Sequence, residues 1–505
     1  MLAALNALIS AAGSFNAPHL DYHALAPEIV LTAVALIVLG VDLVVDETRK
    51  FLVTTIAGFG VLLTLIPIVT LAVDGKDRSM LGGAYVVDNF ALVLKAMFII
   101  AGYLTLLMSS NYLQEGDYHE GEYSFLLISS LLGMIVMSSA RDLITIFIAL
   151  ETLSLPAYLL AGWRKRDRKS NEAAMKYYLL GVVASAVMLY GMSLIYGITG
   201  ETVLARIGEK MMVVGDEKSL AAVGILLVIV GFAFKVSAVP FHQWAPDTYE
   251  GAPTPITAFL SVASKAAGFV ALMELVFIAF FNRSDVWAPI FWVLAVLTMT
   301  VGNVIALKQT NIVRMLAYSS VAQAGFILVP FAVAGSNAAA TTSAFQSIIT
   351  YLIIYTVMNL GAFAVVIAVA RKTRSGEISS WGGLFSYAPG LTVVMTAFLF
   401  ALAGIPPVGG WFAKFTVFRA ALDAGGTWPV ILACIAAVNS VVGATYYLRI
   451  MREMWMKPVP DGELSPIVVP ASLQLAIGLC AIAVVAFGVV PGLVGHFSDI
   501  SSLRP

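Results

Sequence analysis

Apolar runs of about 20 residues, each long enough to cross a hydrocarbon core of about 30 Å as a helix, follow one another from Ala26 almost to the end of the chain. Barrel strands would be about ten residues long, with alternating polarity, and that pattern is not seen. The runs predict about fourteen transmembrane helices. These spans lie near 26–45, 51–73, 89–110, 121–140, 142–162, 172–199, 218–248, 254–281, 286–307, 310–334, 341–370, 387–421, 428–456 and 466–495.

Connections between the runs are short, which leaves no room for a soluble catalytic domain. The sequence therefore predicts an all-α integral membrane protein with one polytopic domain over residues 1–505. Residues 1–15 contain no lysine or arginine, so they lack the charged start of a signal peptide. They are also too short to span the bilayer, and we expect a partly buried lead-in there.

Proline interrupts two of the spans, at Pro240 in span seven and at Pro406–Pro407 in span twelve. Corresponding broken helices are typical of inverted repeats that carry the working site at the break. We predict two inverted five-helix repeats, at about 121–281 and 286–456, with discontinuous helices seven and twelve. Helices at 26–110 and 466–495 would flank them.

Basic residues favour one orientation of the chain. The loop WRKRDRKS at 163–170 holds five of them, and the loops after spans eleven and thirteen are basic too. Such loops are usually cytoplasmic, so both termini are predicted outside and the cell inner membrane is the expected location. The loop at 206–218 is also basic, but acidic residues balance it.

Composition supports the membrane assignment, since only 12% of residues are charged against about 25% in soluble domains. The net charge of −1, without an extended basic tract, makes nucleic acid an implausible partner. Cys434 and Cys480 lie in separate apolar runs. We interpret them as small core residues rather than a disulfide or a metal site.

Charges inside the spans are the main candidates for function, because a charge in hydrocarbon costs several kcal/mol without a partner or water. Glu151 has about ten apolar or hydroxyl residues on each side, too far for its carboxylate to reach the interface. We interpret it as the counter-charge of a buried lysine. A packing role is the alternative.

Lys235 lies deep in span seven, five residues before Pro240. Because proline has no backbone N–H, the carbonyl of Val236 is expected to lose its helical partner and to bind water beside the lysine. Burial favours the neutral amine and a nearby carboxylate favours the charged one. A pair of Lys235 with Glu151 could therefore switch protonation, as proton transfer requires.

Four further residues are candidates. Lys265 lies halfway along span eight. Lys414 follows the break in span twelve, so it is a candidate for the same reason as Lys235, namely a lysine beside a broken helix. His242 follows Pro240 and is either a proton relay or a structural hydrogen-bond donor. Lys176 lies near a helix start, where its side chain either serves transfer or extends to the cytoplasmic interface.

Glu274, nine positions beyond Lys265 and near a helix end, is expected to be peripheral. Only His242 among the histidines lies in a span, so paired haem ligands are excluded. The chain has no GxxxxGK[ST] loop and no CxxC set. We therefore expect no redox centre, metal or ATPase on this chain.

Four motifs resemble the antiporter-like subunits of respiratory complex I. They are VPFHQWAPDTYEGAPTPITAFLSVASKAAGF, NIVRMLAYSSVAQAGF, YTVMNLGAFAVV and LAGIPPVGGWFAKF, and the similarity covers spans two to fourteen. The chain is too short for the family member that carries a long lateral helix. Gln323 departs from the many relatives that have histidine there, which puts a proton-relay role at this position in doubt.

The resemblance implies a role for each matching residue. Glu151 would pair with Lys235 in a first half-channel, Lys265 would be the central relay, Lys414 the end of the second half-channel, and Lys176 a further lysine for this work. It also implies that flavin, iron–sulfur clusters and quinone belong to partner subunits. Those partners would be other membrane subunits of complex I, including another antiporter-like subunit and small membrane subunits.

Two functions remain open at this point. One is a proton-translocating subunit of a redox-driven enzyme, NADH:quinone oxidoreductase, and the other is a subunit of a multisubunit cation/proton antiporter. The resemblance at span five, ALETLSLPAYLLAG, favours the enzyme. A stand-alone solute carrier is weaker, because the expected cavity has no aromatic or polar cluster suited to an organic substrate.

Overall fold

Helices dominate the computed structural model, which describes residues 20–46, 49–116, 120–213, 215, 218–460 and 462–503. The expected lead-in at residues 1–15 lies outside these ranges. The helices are α1 (Ala26–Val44), α2 (Phe51–Asp74), α3 (Asn89–Glu115), α4 (Glu120–Met137), α5 (Leu143–Ala161), α6 (Arg168–Thr199), α7 (Leu204–Met211), α8 (Lys218–Lys235), α9 (Trp244–Gly251), α10 (Thr254–Ala279), α11 (Ser284–Ala306), α12 (Ile312–Val333), α13 (Ala338–Thr373), α14 (Leu384–Tyr387), α15 (Pro389–Ala403), α16 (Gly410–Ala424), α17 (Thr427–Met456), α18 (Ala471–Val489) and α19 (Gly492–Ile500).

In the described ranges, 13 helices are long and apolar enough to cross a membrane. The predicted span at 387–421 is not among them, because it is divided between α15 and α16, each of 15 residues. The all-α multi-pass architecture is thus confirmed. Two elements were not predicted: the amphipathic helix α7 and an antiparallel hairpin of β1 (Arg78–Met80) and β2 (Tyr85–Val87).

Polar side chains cap several of the long helices where the apolar runs begin. A capping carboxylate or amide accepts hydrogen bonds from backbone N–H groups that have no partner within the helix. In this chain the capping residues are Asp88 at α3, Asp142 at α5, Asp167 at α6, Asn311 at α12 and Asn337 at α13. These caps fix where each helix enters the bundle.

Two helical spans are interrupted inside the bundle. Helix α8 ends at Lys235, before Pro240 is reached, and α9 begins only at Trp244. Helix α15 ends at Ala403, and α16 begins at Gly410 after Pro406–Pro407. The pairing of these breaks in two inverted repeats, at about 121–281 and 286–456, stays a prediction.

Helix α10 is irregular in a different way. It contains two π-helical turns, Leu260–Ser264 and Leu275–Ala279. Lys265 follows the first turn directly, and Glu274 precedes the second. Such turns are frequent at functional sites, because they leave backbone groups out of the regular hydrogen-bond pattern.

The loops gather on two opposite sides of the bundle. We name one the hairpin side: β2 bridges to Ala140 there, and Asp142 bridges to Val203. We name the other the basic-loop side: Arg164 donates to the carbonyl of Gly251, and Arg371 pairs with Glu115. The loop at 163–170 lies on this second side.

Helix α7 covers the hairpin side next to the end of α10. The amide of Leu204 donates to the carbonyl of Arg141 at 2.9 Å, and a Cβ on Gly208 would lie 2.6 Å from the carbonyl oxygen of Ile278. Glu201 and Lys210 join at 3.0 Å. A hydrogen bond from Lys210 holds the pKa of Glu201 below its ordinary value.

Candidate functional site

Three buried lysines define the candidate site, and each lies beside an irregular stretch of helix. Lys235, Lys265 and Lys414 are 4%, 1% and 5% exposed. Lys235 ends α8, Lys265 follows a π-helical turn, and Lys414 lies in the first turns of α16. A buried ammonium group needs oxygen partners to offset its lost hydration, and the structure supplies them.

Lys235 contacts hydroxyl groups from two neighbouring helices. Its Nζ donates to Ser154 Oγ of α5 at 2.8 Å and to Tyr177 OH of α6 at 3.3 Å. The Tyr177 ring stacks on Trp244, whose indole N–H donates to the carbonyl of Phe234. The Trp244 indole thus adds a second hydrogen bond to a carbonyl that also accepts from the amide of Ser237 at 3.0 Å.

Glu151 does not touch Lys235 in this structure. Its Oε1 accepts a hydrogen bond from Ser185 Oγ of α6 at 2.7 Å, and its side chain is half-buried. Ser154, the acceptor of Lys235, lies three residues further along α5, on the same face as Glu151. The predicted counter-charge therefore lies about one helical turn from the serine that binds the lysine, and it does not contact the lysine itself.

Lys265 is held by helix α12. Its Nζ donates to both the carbonyl, at 2.9 Å, and the hydroxyl of Ser320. Tyr355 OH donates to the same hydroxyl at 2.9 Å. One turn before the lysine, Ser261 accepts from Asn359 Nδ2 at 2.9 Å. Hydroxyl and amide groups thus surround this lysine, and none of these contacts is a carboxylate.

Gln323 lies in the space between Lys265 and Lys414. Its Nε2 donates to the carbonyl of Leu402 at 2.9 Å and to Tyr447 OH at 3.2 Å, and its Oε1 accepts from Tyr351. Tyr447 also shares a hydrogen bond with Ser319, the neighbour of Ser320 in α12. An amide cannot titrate here, but it can orient the hydroxyls on both sides.

Lys414 binds the open end of the broken helix α15. Its Nζ donates to the carbonyl of Ala403 at 2.7 Å and to Ser440 Oγ of α17 at 2.7 Å. Carbonyls at a helix C-terminus have no partner within the helix and favour a cation. Because Leu402 and Ala403 are adjacent, the contacts of Gln323 and Lys414 meet at this end.

His242 and Lys176 lie apart from the three lysines. His242 is half-buried in the first break, its Nδ1 has no hydrogen-bond partner, and its ring lies 6.5 Å from that of Tyr318. Lys176 lies towards the basic-loop side, with Glu172 at 2.7 Å and Asp247 at 2.8 Å. Arg314 binds the other oxygen of Asp247 at 2.9 Å.

Sequence reasoning missed the hydroxyl partners of the lysines and a second set of buried charges. Glu274 is not peripheral: its side chain is fully buried and pairs with Arg141 at 2.6 Å. Lys95, seven residues after Asp88, is also fully buried. The sequence signal for these buried charges was a charged residue just inside an apolar run. Near a helix end, however, such a side chain usually extends to the interface and is solvated.

Metal chemistry has no support in the described ranges, where no group of three or more histidines, cysteines or carboxylates is placed to hold an ion. Cys434 and Cys480 are free thiols. Cys480 is buried, as expected of a core residue, but Cys434 is exposed, so the predicted core position is wrong for Cys434.

Comparison with known proteins first defines the class. Residues 140–440 match a family model described as NADH:quinone oxidoreductase/Mrp antiporter, TM. The chain is thus a membrane subunit of the kind shared by these two groups of complexes.

A curated relative narrows the class. It is the NADH-quinone oxidoreductase subunit N of Trichlorobacter lovleyi, 40% identical over 487 residues, which covers 95% of this chain and 96% of the relative. The chain therefore belongs to the NADH-quinone oxidoreductase subunit N family, and the resemblance found in the sequence is confirmed.

Solved structures agree on the fold. A chain of respiratory complex I from Thermus thermophilus with bound aureothin is 29% identical, with a TM-score of 0.76 over 93% of this chain and 98% of that one. A chain of the Mrp complex from Dietzia sp. has a TM-score of 0.81 at 20% identity, over 95% and 97% of the two chains. The second likeness shows a shared fold only.

Proposed function

We propose that this chain moves protons across a membrane as one subunit of an NADH:quinone oxidoreductase. The observation that carries the proposal is the row of three buried lysines, each hydrogen-bonded to hydroxyl or carbonyl oxygens at an interrupted helix. Intramembrane ionisable residues on broken helices are the usual mark of an ion path. Membership of the subunit N family supports the assignment to this enzyme.

Each lysine can hold or give up one proton, and the hydroxyls that it contacts both donate and accept hydrogen bonds. In the proposed path, a proton passes between Glu151 and Lys235 by way of Ser154 or water. Lys265 is the central carrier, and Lys414 the last one in the second half. Tyr447 and Gln323, which are hydrogen-bonded to each other, would form part of the connection between these last two lysines.

The cluster around Asp247 is the proposed entry on the basic-loop side. Lys176, Glu172 and Arg314 surround this carboxylate, and together they line a small cavity that opens to the surface. His242, five residues before Asp247, has an unpartnered Nδ1 and is the proposed relay from this cavity inward.

Redox chemistry is proposed to take place elsewhere. Flavin, iron–sulfur clusters and quinone would be held by partner subunits, and this chain would carry none of them. Its partners would be other complex I membrane subunits, among them another antiporter-like subunit and small membrane subunits. We also propose the cell inner membrane as its location, with the basic-loop side cytoplasmic and both termini outside.

The first experiment is a mild-detergent pull-down of the tagged chain, assayed for oxidation of NADH with a quinone acceptor. Co-purified activity, together with flavin and iron–sulfur absorbance, is the expected result. A pull-down that brings only small membrane subunits and no NADH oxidation would contradict the proposal.

The second candidate function is a subunit of a cation/proton antiporter, which the fold shared with the Mrp complex favours. In that case the pulled-down complex should exchange Na⁺ for H⁺ in vesicles without any electron donor. The assigned function expects no such exchange.

A further inference from the structure

A cluster of buried charges on the hairpin side takes no part in the lysine row. Arg141 Nη1 lies 2.6 Å from Glu274 Oε1, and its Nη2 lies 3.0 Å from Asp88 Oδ2. All three residues are at most 1% exposed. Arg141 belongs to the short link between α4 and α5, Asp88 caps α3, and Glu274 lies at the second π-helical turn of α10.

A second ion pair adjoins the first set through Tyr85, whose backbone bridges to Ala140, the residue before Arg141. Lys95 Nζ lies 2.8 Å from Glu28 Oε1 and donates to Tyr85 OH at 3.2 Å. Within the described ranges, these contacts bring together the two cations Lys95 and Arg141 with the three carboxyl groups of Glu28, Asp88 and Glu274. If all were ionised the cluster would carry a charge of −1, in surroundings where an uncompensated charge is costly.

Geometry identifies the carboxyl group that is neutral. Asp88 accepts hydrogen bonds with both oxygens, from Arg141 and from the amide of Ala91, and it lies at a helix N-terminus, which favours an anion. Glu274 lies towards the C-terminal end of α10, which disfavours an anion. Its Oε2 is buried and has no hydrogen-bond partner. The oxygens of Glu28 also lack a hydrogen-bond partner, but its Oε1 lies 2.8 Å from the ammonium group of Lys95, and its place in the first turn of α1 favours an anion.

We propose that Glu274 is a buried proton-binding site, and that its bound proton neutralises the charge left over by the two ion pairs. Arg141 then forms its charged pair with Asp88 and a hydrogen bond to the neutral acid. Glu28, in the first turn of α1, stays ionised beside Lys95.

The position of this acid suggests a use for it, which rests on the proposed function. Glu274 and Lys265 belong to the same helix, nine residues or about 13 Å apart along its axis, and each adjoins a π-helical turn. Lys265 is central, and Glu274 lies nearer the hairpin side, beneath α7. Glu274 is therefore the proton station between Lys265 and that side of the membrane.

The proton itself is tested without any assay of transport. Infrared spectra of the purified membrane assembly at neutral pH should show the C=O stretch of a protonated carboxylic acid that shifts in D₂O. We expect Glu274→Gln to remove that band and the exposed Glu209→Gln to keep it. Spectra in which Glu274→Gln removes no such band would mean that Glu274 is ionised, and the proposal would be wrong.

Thermal unfolding of two variants gives an independent check. Glutamine resembles the neutral acid, so Glu274→Gln should leave the unfolding temperature unchanged, whereas Asp88→Asn removes the counter-charge of Arg141 and should lower it. The reverse order would overturn the proposal.

The transport role is a separate measurement on vesicles that contain the assembled complex. Glu274→Gln should lower proton transport roughly tenfold or more, Glu274→Asp should keep part of it, and Glu209→Gln should keep all of it. Normal transport by Glu274→Gln overturns the role as a station but not the bound proton. If the unmodified complex oxidised no NADH and moved no protons, the proposed function would fail while the infrared result would stand.

Discussion

Glu151 and Lys235 do not contact each other: the Glu151 carboxylate accepts a hydrogen bond from Ser185, and the Lys235 ammonium group donates to Ser154, three residues further along α5. This arrangement leaves Lys235 free to change protonation without breaking a direct ion pair, whose partners would be expensive to separate in a buried site.

Substitutions at these two positions test the first half of the path. Lys235→Ala should reduce proton transport roughly 100-fold, because no group then carries the proton between the serine and tyrosine hydroxyls. Glu151→Gln should lose activity while Glu151→Asp keeps part of it. Acidification of inverted vesicles on addition of NADH is the measurement. Exposed Lys308→Ala and Glu122→Gln are the controls, and a normal rate in Lys235→Ala would contradict the assigned path.

Gln323 provides the second residue-scale prediction. Gln323→Leu leaves the hydroxyls of Tyr351 and Tyr447 without their amide partner, so transport should fall roughly tenfold. Gln323→His supplies an imidazole ring that can also form hydrogen bonds, so this variant should transport protons well. Exposed Gln474→Leu should behave like the unmodified protein. If the leucine variant were fully active, the contacts of Gln323 would be structural only.

The buried charged residues could be predicted from the sequence, but their hydrogen-bond partners could not. A lysine in an apolar run stands out because its burial is costly, so Lys235, Lys265 and Lys414 could be found without a structure. Ser154, Tyr177 and Ser320 could not, because hydroxyl residues are common in apolar helices and only packing decides which of them meets a lysine. The charge of Glu274 was visible, but its burial beside Arg141 and Asp88 depends on tertiary packing that no apolar run predicted.

At the scale of elements, the two broken helices provide oxygen partners for their buried lysines in different ways. At the break after α8, the carbonyl of Phe234 accepts from the amide of Ser237 and from the Trp244 indole, and the lysine binds side-chain hydroxyls instead. The break after α15 gives its free carbonyl at Ala403 to the lysine itself. Proline marked both breaks in the sequence, but α8 ends five residues before Pro240, a boundary that tertiary contacts decide.

Gly404 makes the second break possible. Its φ of +86° is unfavourable for other residues, and an added Cβ would lie 2.6 Å from Cδ of Lys414. Gly404→Ala should therefore destabilise the protein by about 1–3 kcal/mol and displace the lysine from the Ala403 carbonyl. Thermal unfolding and proton transport are the measurements. A Cβ at Gly390, near the start of α15, would meet nothing within 4 Å, so Gly390→Ala should be neutral. Equal stability of the two variants would contradict this account.

At the scale of the whole molecule, the ion pairs and loops are divided between two sides, and the bilayer must lie between them. The basic loop at 163–170 and the cluster around Asp247 share one side. The buried charges around Arg141 lie towards the other. This division was only partly predictable: loop charge assigned the sides, whereas the hairpin and α7 had no clear pattern of their own.

Orientation is testable with single cysteines. In a Cys434→Ser background, Arg166→Cys on the basic-loop side should react with an impermeant maleimide only in inverted vesicles. Glu209→Cys on the hairpin side should react only in right-side-out ones. Both positions are exposed, and Cys480 is buried and free. The opposite labelling pattern would place the basic loop outside and reverse the proposed direction of entry.

The bond from Lys414 to the carbonyl of Ala403 has a consequence for how this protein tolerates change. The acceptor is a main-chain oxygen, which every amino acid at that position supplies, so no side-chain substitution there can delete it. The partners of Lys235 are side-chain hydroxyls, and a single substitution can remove either one. The second half of the path should therefore be the more robust of the two to mutation, and replacing the backbone amide that follows Ala403 with an ester, a poorer acceptor, would be the direct way to weaken it.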